Sequence, residues 1–132
     1  MKFIHFSDIH LGVTMTKYGE VVGVSRYEDY LDTLDNIIDF CEDEKIDTVF
    51  FGGDAFHKRN PLSGIISDFS KRLQRLTTIV DNIIICTGNH DMGRLSSAVS
   101  VYKDLQILGV QIIDKLDVYR LNNGINVIGI PY

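Results

Sequence analysis

The chain has 132 residues, of which 45% are apolar and 23% charged, so it has the size and composition of one soluble globular domain. Its formal net charge of −5 argues against a protein that coats nucleic acid through a general excess of positive charge. No apolar run reaches the roughly 20 residues of a membrane span. The apolar start is too short for a secretory signal, so we expect a cytoplasmic protein whose two cysteines are reduced.

The first two predicted elements are a strand and a long helix. Apolar residues over 2–7 predict a short strand that ends at Asp8. Ser25 and Glu28 then match the S-x-x-E capping box, which is typical of a helix start. Apolar residues at helical spacing follow this pair, so a helix is predicted over 26–44.

The next part of the chain repeats this order. A strand is predicted over 48–51 and ends at the two glycines before Asp54. Asn60 and Pro61 then predict the N-cap and the first position of a second helix. A third strand is predicted over 82–86, before the polar segment TGNHD. The buried stripe of the second helix is expected to consist of Leu62, Ile65, Ile66, Phe69, Leu73 and Leu76.

A third helix over 96–108 and short strands over 110–113, 118–121 and 126–130 complete the prediction. Strands that alternate with helices and are followed by further strands predict an α/β fold whose sheet begins parallel. The third helix has more apolar surface than one buried stripe requires. This surplus is expected either to pack inside the fold or to form a homodimer contact.

Side chains that can bind metals follow the first three predicted strands: Asp8 and His10, Asp54, and Asn89 with His90. Because the carboxyl ends of parallel strands share one edge of a sheet, we expect these side chains to meet. Carboxylate and amide oxygens combined with imidazole nitrogens suit Mn, Fe or Zn. Two such ions, roughly 3.5–4 Å apart, can clamp a phosphate and activate a water as the nucleophile. His90 is then free to donate a proton or to contact the phosphate.

Three motifs carry a resemblance to a known family. SDIH at 7–10, GGD at 52–54 and GNHD at 88–91 resemble the first three motifs of the calcineurin-like metallophosphoesterases. The longer segments HFSDIHLG and GGDAFHKRNP are similar to those of SbcD-type DNA repair nucleases and of phage recombination nucleases, and the similarity continues to GIPY at 129–132. The resemblance implies a partial metallophosphoesterase sandwich, with a mostly parallel sheet flanked by helices and the later strands of the fold missing. It also implies a metal-dependent DNA exo- and endonuclease of double-strand-break repair or recombination.

The resemblance also implies roles for the residues at the strand ends. Asp8 and His10 are expected to bind one of two divalent ions, with Mn²⁺ as the expected metal. Asp54 is expected to bridge both ions, and Asn89 is expected to bind the second. His90 corresponds to the catalytic histidine that contacts the scissile phosphate.

Further residues near the predicted site are candidates for substrate contact. His57 matches a position that lies near the active site in the nuclease branch, where it helps set how the DNA strand enters. Lys58, Arg59 and Arg94 lie in loops beside the predicted site, so they are expected either to contact the phosphate backbone or to be plain surface residues.

Other polar residues are expected to have structural roles. Asp91 either orients the neighbouring histidine or caps its loop. Lys71, Arg72 and Arg75 are expected to form the solvated face of the second helix. His5 lies inside the first predicted strand and is expected to pack in the fold rather than to bind metal.

The sequence departs from the family pattern in one respect. Family members complete the site with later histidines in GH and GHxH motifs, whereas the histidines here are His5, His10, His57 and His90. Residues 1–132 are therefore expected to be the amino-terminal part of a metallophosphoesterase domain. The implied partners are DNA and an SbcC-type, SMC-like ATPase. The alternatives are a small-molecule phosphodiesterase of the same superfamily, or an inactive fragment that serves as an interaction module.

Overall fold

The computed structural model describes residues 1–13, 22–91, 102–104 and 106–132, without the side chains of residues 22–25. Residues 102–104 and 106 are helical and 107–109 form a turn, while the rest of the predicted third helix lies outside the described residues. No helix in these ranges combines the length and apolar character that a membrane crossing needs. In chain order the elements are β1 (Phe3–Phe6), α1 (Val22–Asp43), β2 (Thr48–Phe51), α2 (Ser63–Thr77), β3 (Asn82–Cys86), β4 (Gln111–Ile113), β5 (Asp117–Arg120) and β6 (Asn126–Gly129).

The central sheet has the order β1-β2-β3-β4, and all three neighbouring pairs are parallel. The predicted α/β fold with a sheet that begins parallel is therefore confirmed. Strands β2 and β3 have the predicted bounds, and the other strands differ by one residue at one or both ends. Because consecutive strands are neighbours and their crossovers are right-handed, α1 and α2 pack on the same face. The carboxyl ends of β1, β2 and β3 then lie side by side.

The main hydrophobic core lies between this face and the two helices. Alternate residues of β2, Val49 and Phe51, point into it and are 0% and 2% exposed. Successive buried positions of each helix meet them at helical spacing, which is the pattern of an amphipathic helix on a sheet. The helix residues of this core are Leu34, Ile38, Cys41, Phe69, Leu73 and Leu76.

The opposite face of the sheet is partly covered by a hairpin. Strands β5 and β6 pair antiparallel in a separate two-stranded sheet. Their inward side chains form a second, smaller core with the sheet, whose buried members are Ile84, Ile113 and Leu121. On the same face of β1, Phe3 and His5 are exposed. The prediction that His5 packs in the fold is therefore wrong.

Helix α1 begins earlier than predicted and ends close to the predicted position. It starts at Val22, so Ser25 lies inside the helix and the predicted capping box is wrong. At its other end Lys45 has a left-handed φ of 52°. The N–H of Ile46 donates to the carbonyl of Cys41 at 2.9 Å. This bond with a left-handed residue before it is the Schellman pattern, which satisfies the last carbonyls of the helix.

Helix α2 begins two residues later than predicted. Its N-cap is Leu62, which has extended backbone angles and forms no side-chain cap bond. Asn60 and Pro61 therefore lie in the preceding loop, where the fixed φ of proline favours an extended chain. Leu62 is 76% exposed, so its predicted place in the buried stripe is wrong, while Phe69 lies in that stripe as predicted.

Ion pairs join α1 to α2 along one side, and we call this surface the helical flank. Arg72 Nη2 lies 2.6 Å from Asp35 Oδ2, and Arg75 Nη2 lies 2.7 Å from Asp39 Oδ1. The predicted solvated face is therefore wrong for both arginines, because their guanidinium groups reach carboxylates of α1. Lys71 points to solvent with a side chain that is 71% exposed, as predicted.

Candidate metal centre at the carboxyl edge of the sheet

The loop that follows β1 continues alongside the loop that follows β2. The N–H of Asp8 donates to the carbonyl of Gly53 at 3.0 Å, and the N–H of His10 donates to the carbonyl of Asp54 at 3.0 Å. These bonds extend the parallel pairing of the two strands past their ends. Asp8, His10 and Asp54 are thereby brought to one edge, as the sequence predicts.

An uncommon backbone conformation marks the same three residues. Asp8, His10 and Asp54 have φ angles of 60°, 48° and 56°, in the left-handed region that few non-glycine residues adopt. Lys45 is the other non-glycine residue with positive φ in the part of the chain that the structure describes. Strained conformations of this kind persist where the surrounding structure enforces them, and they concentrate at functional sites.

Two glycines allow the loops after β2 and β3 to touch through their backbones. Gly53 has a φ of 91°, and a Cβ added there would lie 2.3 Å from the nitrogen of Gly88 and 2.4 Å from the carbonyl oxygen of Cys86. A Cβ added at Gly88 would lie 2.3 Å from Oδ1 of Asp54. Since real Cβ atoms do not approach other atoms so closely, only glycine fits either position. The GGD and GNHD motifs are therefore packed against each other.

Asp91 ties these two loops together. Its Oδ2 accepts hydrogen bonds from the N–H of Asp54 at 2.7 Å and from the N–H of Gly88 at 2.9 Å. In the reverse direction, Oδ1 of Asp54 accepts a bond from the N–H of His90 at 2.7 Å. Of the two predicted roles for Asp91, the structure thus shows the loop cap. The chain holds Asp54 at both its backbone and its carboxylate.

Burial dominates the electrostatics of this cross-connection. Burial raises the pKa of Asp91, while the hydrogen bonds from Gly88 and Asp54 act in the opposite direction. Tyr102 is buried behind Asp91, and this burial together with the neighbouring carboxylate raises its pKa well above the usual range. Sequence reasoning placed Tyr102 only among the apolar residues of the third helix. A phenol inside an apolar helix stripe could have signalled a buried polar partner.

Three imidazole rings converge beside the carboxylates. The ring centroid of His10 lies 4.8 Å from that of His90 and 5.9 Å from that of His57. The rings of His57 and His90 stack with centroids 5.9 Å apart. Nδ1 of His90 lies 2.9 Å from the backbone carbonyl oxygen of His57. His57 is therefore part of the same cluster, near the predicted catalytic histidine.

Two overlapping groups of side chains could hold a metal ion. In the first, ligand atoms of Asp8, His10 and Asp54 lie within 4.8 Å of one another. In the second, ring nitrogens of His10, His57 and His90 do so. Nδ1 of His10 is buried and has no hydrogen-bond partner among the described residues. A buried ring nitrogen without a partner, next to two carboxylates, fits a divalent cation bound by oxygen and nitrogen ligands.

The remaining predicted site residues lie around this centre or outside the described part of the chain. Asn89 is exposed on the loop between the GNHD glycine and the histidine. Lys58 and Arg59 are exposed on the loop that follows His57. Arg94 lies outside the described residues. The predicted roles of these four residues in metal and substrate binding stay predictions.

Comparison with known families gives this geometry a context. The sequence pattern of the family described as "Calcineurin-like phosphoesterase" matches residues 1–131. The chain belongs to this family. The match confirms the resemblance carried by SDIH, GGD and GNHD, and the parallel sheet with flanking helices is consistent with part of a calcineurin-like fold.

Curated relatives of the chain carry names from DNA repair. The chain is 35% identical over 100 residues to the SbcD subunit of the SbcCD nuclease of Bacillus subtilis, which covers 74% of the chain and 24% of the relative. It is 30% identical over 104 residues to "DNA double-strand break repair protein Mre11" of Halobacterium salinarum, with coverage of 79% and 26%. A protein of the same name from Sulfolobus acidocaldarius is 27% identical over 133 residues, with coverage of 100% and 34%. The chain thus spans about a quarter to a third of the length of these calcineurin-like relatives.

Proposed function

We propose that residues 1–132 contribute the amino-terminal part of the catalytic domain of a metal-dependent DNA nuclease, which hydrolyses phosphodiester bonds in double-strand-break repair or recombination. The observation that carries this proposal is the convergence of Asp8, His10, Asp54 and His90 at one edge of the sheet. The names of the curated relatives support DNA as the substrate.

The proposed site binds two divalent cations, and Mn²⁺ suits its mixture of oxygen and nitrogen ligands. Asp8 and His10 would hold the first cation, Asp54 would bridge to the second, and Asn89 would hold the second. When bound, the cations would neutralise the scissile phosphodiester and lower the pKa of the attacking water. The ligand atoms of Asp8, His10 and Asp54 already lie within 4.8 Å of one another, which supports the first of these sites.

Asp54 is oriented for this role before any cation binds. Its N–H is fixed by Asp91 at 2.7 Å, and its Oδ1 accepts the N–H of His90 at 2.7 Å. A carboxylate restrained at both its backbone and its side chain loses little further conformational freedom on binding a metal. The same bond from His90 keeps the predicted catalytic histidine next to the bridging ligand.

His90 can serve as a proton donor or phosphate contact through Nε2. Its Nδ1 lies 2.9 Å from the carbonyl oxygen of His57, and a carbonyl can only accept. Nδ1 therefore carries a proton, which leaves Nε2 as the nitrogen available to the substrate. We propose that this nitrogen contacts the scissile phosphate and exchanges a proton with it, as general acid–base catalysis requires.

DNA contacts outside the metal centre are proposed for His57, Lys58, Arg59 and Arg94. The chain has a net charge of −5, so attraction to phosphates must come from local cations and from the bound metals rather than from overall charge. Lys58 and Arg59 are exposed on the loop beside the imidazole cluster, which supports this assignment.

Two protein partners belong to the same proposal. One relative is named as a component of the SbcCD nuclease, which supports assembly with an SbcC-type, SMC-like ATPase. A homodimer through the apolar surface predicted over 96–108 is the second. Light scattering of the protein encoded by the complete gene tests the dimer, and a monomer at micromolar concentration would remove it.

The nuclease activity is tested with linear double-stranded DNA and Mn²⁺, using the protein encoded by the complete gene. We expect Asp54→Asn and His90→Gln to lower the rate at least a hundredfold, because each removes a group proposed to act at the phosphate. Asp43→Asn and His5→Gln are matched controls, since both side chains are exposed away from the centre. Cleavage that persists in Asp54→Asn and His90→Gln would contradict the proposed site.

The same assay separates the alternative functions. A small-molecule phosphodiesterase would turn over a model ester such as bis(p-nitrophenyl) phosphate and leave DNA ends intact. An inactive interaction module would cleave neither substrate and would show no heat of Mn²⁺ binding in calorimetric titration. The proposed nuclease binds Mn²⁺ and degrades DNA faster than the model ester.

A further inference from the structure

The imidazole cluster forms a set of potential ligands distinct from the carboxylate site. Ring nitrogens of His10, His57 and His90 lie within 4.8 Å of one another, and no carboxylate is needed to complete this set. The other group consists of Asp8, His10 and Asp54. His10 is the one residue that the two groups share, so occupation of one group affects the other.

Backbone hydrogen bonds hold each of the three histidines in place. The N–H of His10 donates to Asp54, and the N–H of His57 donates to the carbonyl of Leu11 at 3.0 Å, in the segment that follows His10. The N–H of His90 donates to Oδ1 of Asp54 at 2.7 Å. The three rings therefore extend from backbone positions that are fixed relative to one another.

The ring of His90 also has the second contact that metal-binding histidines usually have. Its Nδ1 faces the carbonyl oxygen of His57 at 2.9 Å, which leaves Nε2 with a free lone pair. Histidine ligands commonly donate their other ring N–H to a backbone carbonyl, because this bond fixes the ring and raises the basicity of the ligand nitrogen. Nδ1 of His10 is buried with no partner in the described part of the chain, so a second nitrogen of the cluster is open to a ligand.

Three nitrogens without oxygen ligands select a different class of metal from the carboxylate site. Imidazole suits Zn²⁺, Ni²⁺ and Cu²⁺, and three histidines with an open fourth position form a known type of zinc site. Zn–N bonds of about 2.0–2.1 Å place tetrahedral ligand nitrogens about 3.3 Å apart. Nitrogens that start within 4.8 Å of one another reach this spacing through small rotations of the rings.

We propose that His10, His57 and His90 bind a single borderline transition-metal cation of the Zn²⁺ class, in a mode that competes with the oxygen-rich site. Competition follows because His10 belongs to both groups. A further consequence rests on the proposed function: a cation bound by His90 removes this side chain from the phosphate, so Zn²⁺ inhibits the Mn²⁺-dependent nuclease.

Binding of two metals to matched variants tests this proposal without any activity assay. Co²⁺ serves as the probe for the imidazole site because its visible absorption reports the ligands, and free Mn²⁺ is measured by electron paramagnetic resonance. We expect His57→Gln to lower Co²⁺ affinity at least tenfold and to leave Mn²⁺ affinity unchanged. We expect Asp54→Asn to do the reverse, since asparagine keeps the Oδ1 acceptor for His90.

Two results would overturn the proposal. One is an unchanged Co²⁺ affinity and spectrum in His57→Gln, and the other is an equal loss of Co²⁺ and Mn²⁺ in that variant. His5→Gln is the matched control, because His5 is exposed outside the cluster. Absence of DNA hydrolysis would affect only the inhibitory consequence and not these binding results.

A measurement on the unsubstituted protein avoids any dependence on the folding of a variant. Long-range ¹H–¹⁵N spectra follow the ring nitrogens of all four histidines during a Zn²⁺ titration. We expect the nitrogens of His10, His57 and His90 to shift together up to one equivalent, while those of His5 stay constant. A His57 resonance that is unchanged at one equivalent would contradict the site.

Discussion

The helical flank and the carboxyl edge of the sheet use carboxylates in opposite ways. On the flank, carboxylates meet protein cations: Asp35 pairs with Arg72 at 2.6 Å and Asp39 pairs with Arg75 at 2.7 Å. At the edge, neither Asp8 nor Asp54 forms an ion pair with lysine or arginine in the part of the chain that the structure describes. The first region is electrostatically complete, whereas the second places acidic groups together without a protein cation.

This difference separates residues that stabilise the fold from residues that prepare a metal centre. Like charges brought together repel, and a bound cation reverses the sign of that interaction. The edge is held in place by other means, namely the glycine contact at Gly53 and the hydrogen bonds of Asp91. Substitutions at the edge should therefore affect both stability and metal affinity, and substitutions on the flank should affect stability alone.

The largest effect is expected for Gly53→Ala. Its φ of 91° is unfavourable for alanine, and the added Cβ would lie 2.3 Å from a backbone nitrogen. Strain and overpacking together should lower the free energy of unfolding by about 3 kcal/mol, and displacement of Asp54 should lower Mn²⁺ affinity. Urea unfolding and a Mn²⁺ titration measure the two effects. Gly64→Ala is the matched control, because nothing lies within 4 Å of its added Cβ, and it should not destabilise the protein.

A slightly smaller effect is expected for Asp91→Ala. This change leaves the N–H groups of Asp54 and Gly88 without their acceptor. An unsatisfied buried donor costs about 1–3 kcal/mol, so we expect the free energy of unfolding to fall by about 2–3 kcal/mol and Mn²⁺ affinity to weaken. Asp114→Ala, at an exposed position, should change neither quantity. Unchanged Mn²⁺ affinity in a destabilised Asp91→Ala would show that the cross-connection supports the fold and not the centre.

A moderate effect with a defined pH dependence is expected for Tyr27→Phe on the helical flank. The hydroxyl of Tyr27 donates to Asp68 at 2.9 Å. Burial first, and then this hydrogen bond, raise the pKa of Tyr27 to about 12 from its usual 10.0. Removal of the hydroxyl should lower the free energy of unfolding by about 1 kcal/mol at neutral pH and leave Mn²⁺ affinity unchanged.

The sign of the pH dependence follows from the raised pKa. The folded state favours the protonated phenol, so the contribution of Tyr27 is complete below pH 10 and is lost as the pH rises towards 12. The stability difference between the protein and Tyr27→Phe should therefore shrink over this interval. Tyr132→Phe is the control, because this side chain is 85% exposed. A difference that stays constant from pH 9 to pH 12 would exclude the Asp68 bond as its source.

The smallest effect is expected for Arg75→Ala. Its guanidinium group pairs with Asp39 and Glu42, but the side chain is 45% exposed. Exposed ion pairs stabilise proteins by at most about 1 kcal/mol and are screened by salt. We expect a loss of about 0.5 kcal/mol that disappears in 1 M salt, with Mn²⁺ affinity unchanged. Lys71→Ala should give a still smaller loss, and reduced Mn²⁺ affinity in Arg75→Ala would break the separation of the two regions.

Local patterns in the sequence predicted the elements that depend on local patterns. Strands β2 and β3 have the predicted bounds because each is an uninterrupted apolar run before a glycine-containing loop. The helix starts were wrong because Ser25 and Asn60 match capping patterns that the chain does not use. Short patterns of this kind have less weight than packing in deciding where a helix begins.

The candidate site divides along the same line. Proximity of Asp8, His10 and Asp54 follows from strand ends in a parallel sheet, and this could be predicted. The role of Asp91 depends on two glycines meeting across different loops, and the place of His57 depends on backbone bonds made by its loop. Such contacts between distant segments are set by the assembled fold, and the sequence near either residue does not contain them.

Anomalous diffraction from crystals of the protein grown with Mn²⁺ tests the central claim most directly. The account predicts a manganese peak at the carboxyl edge of the sheet, with Asp8, His10 and Asp54 as its protein ligands. A peak bound by other residues, or well-ordered density for these three side chains with no peak between them, would contradict it.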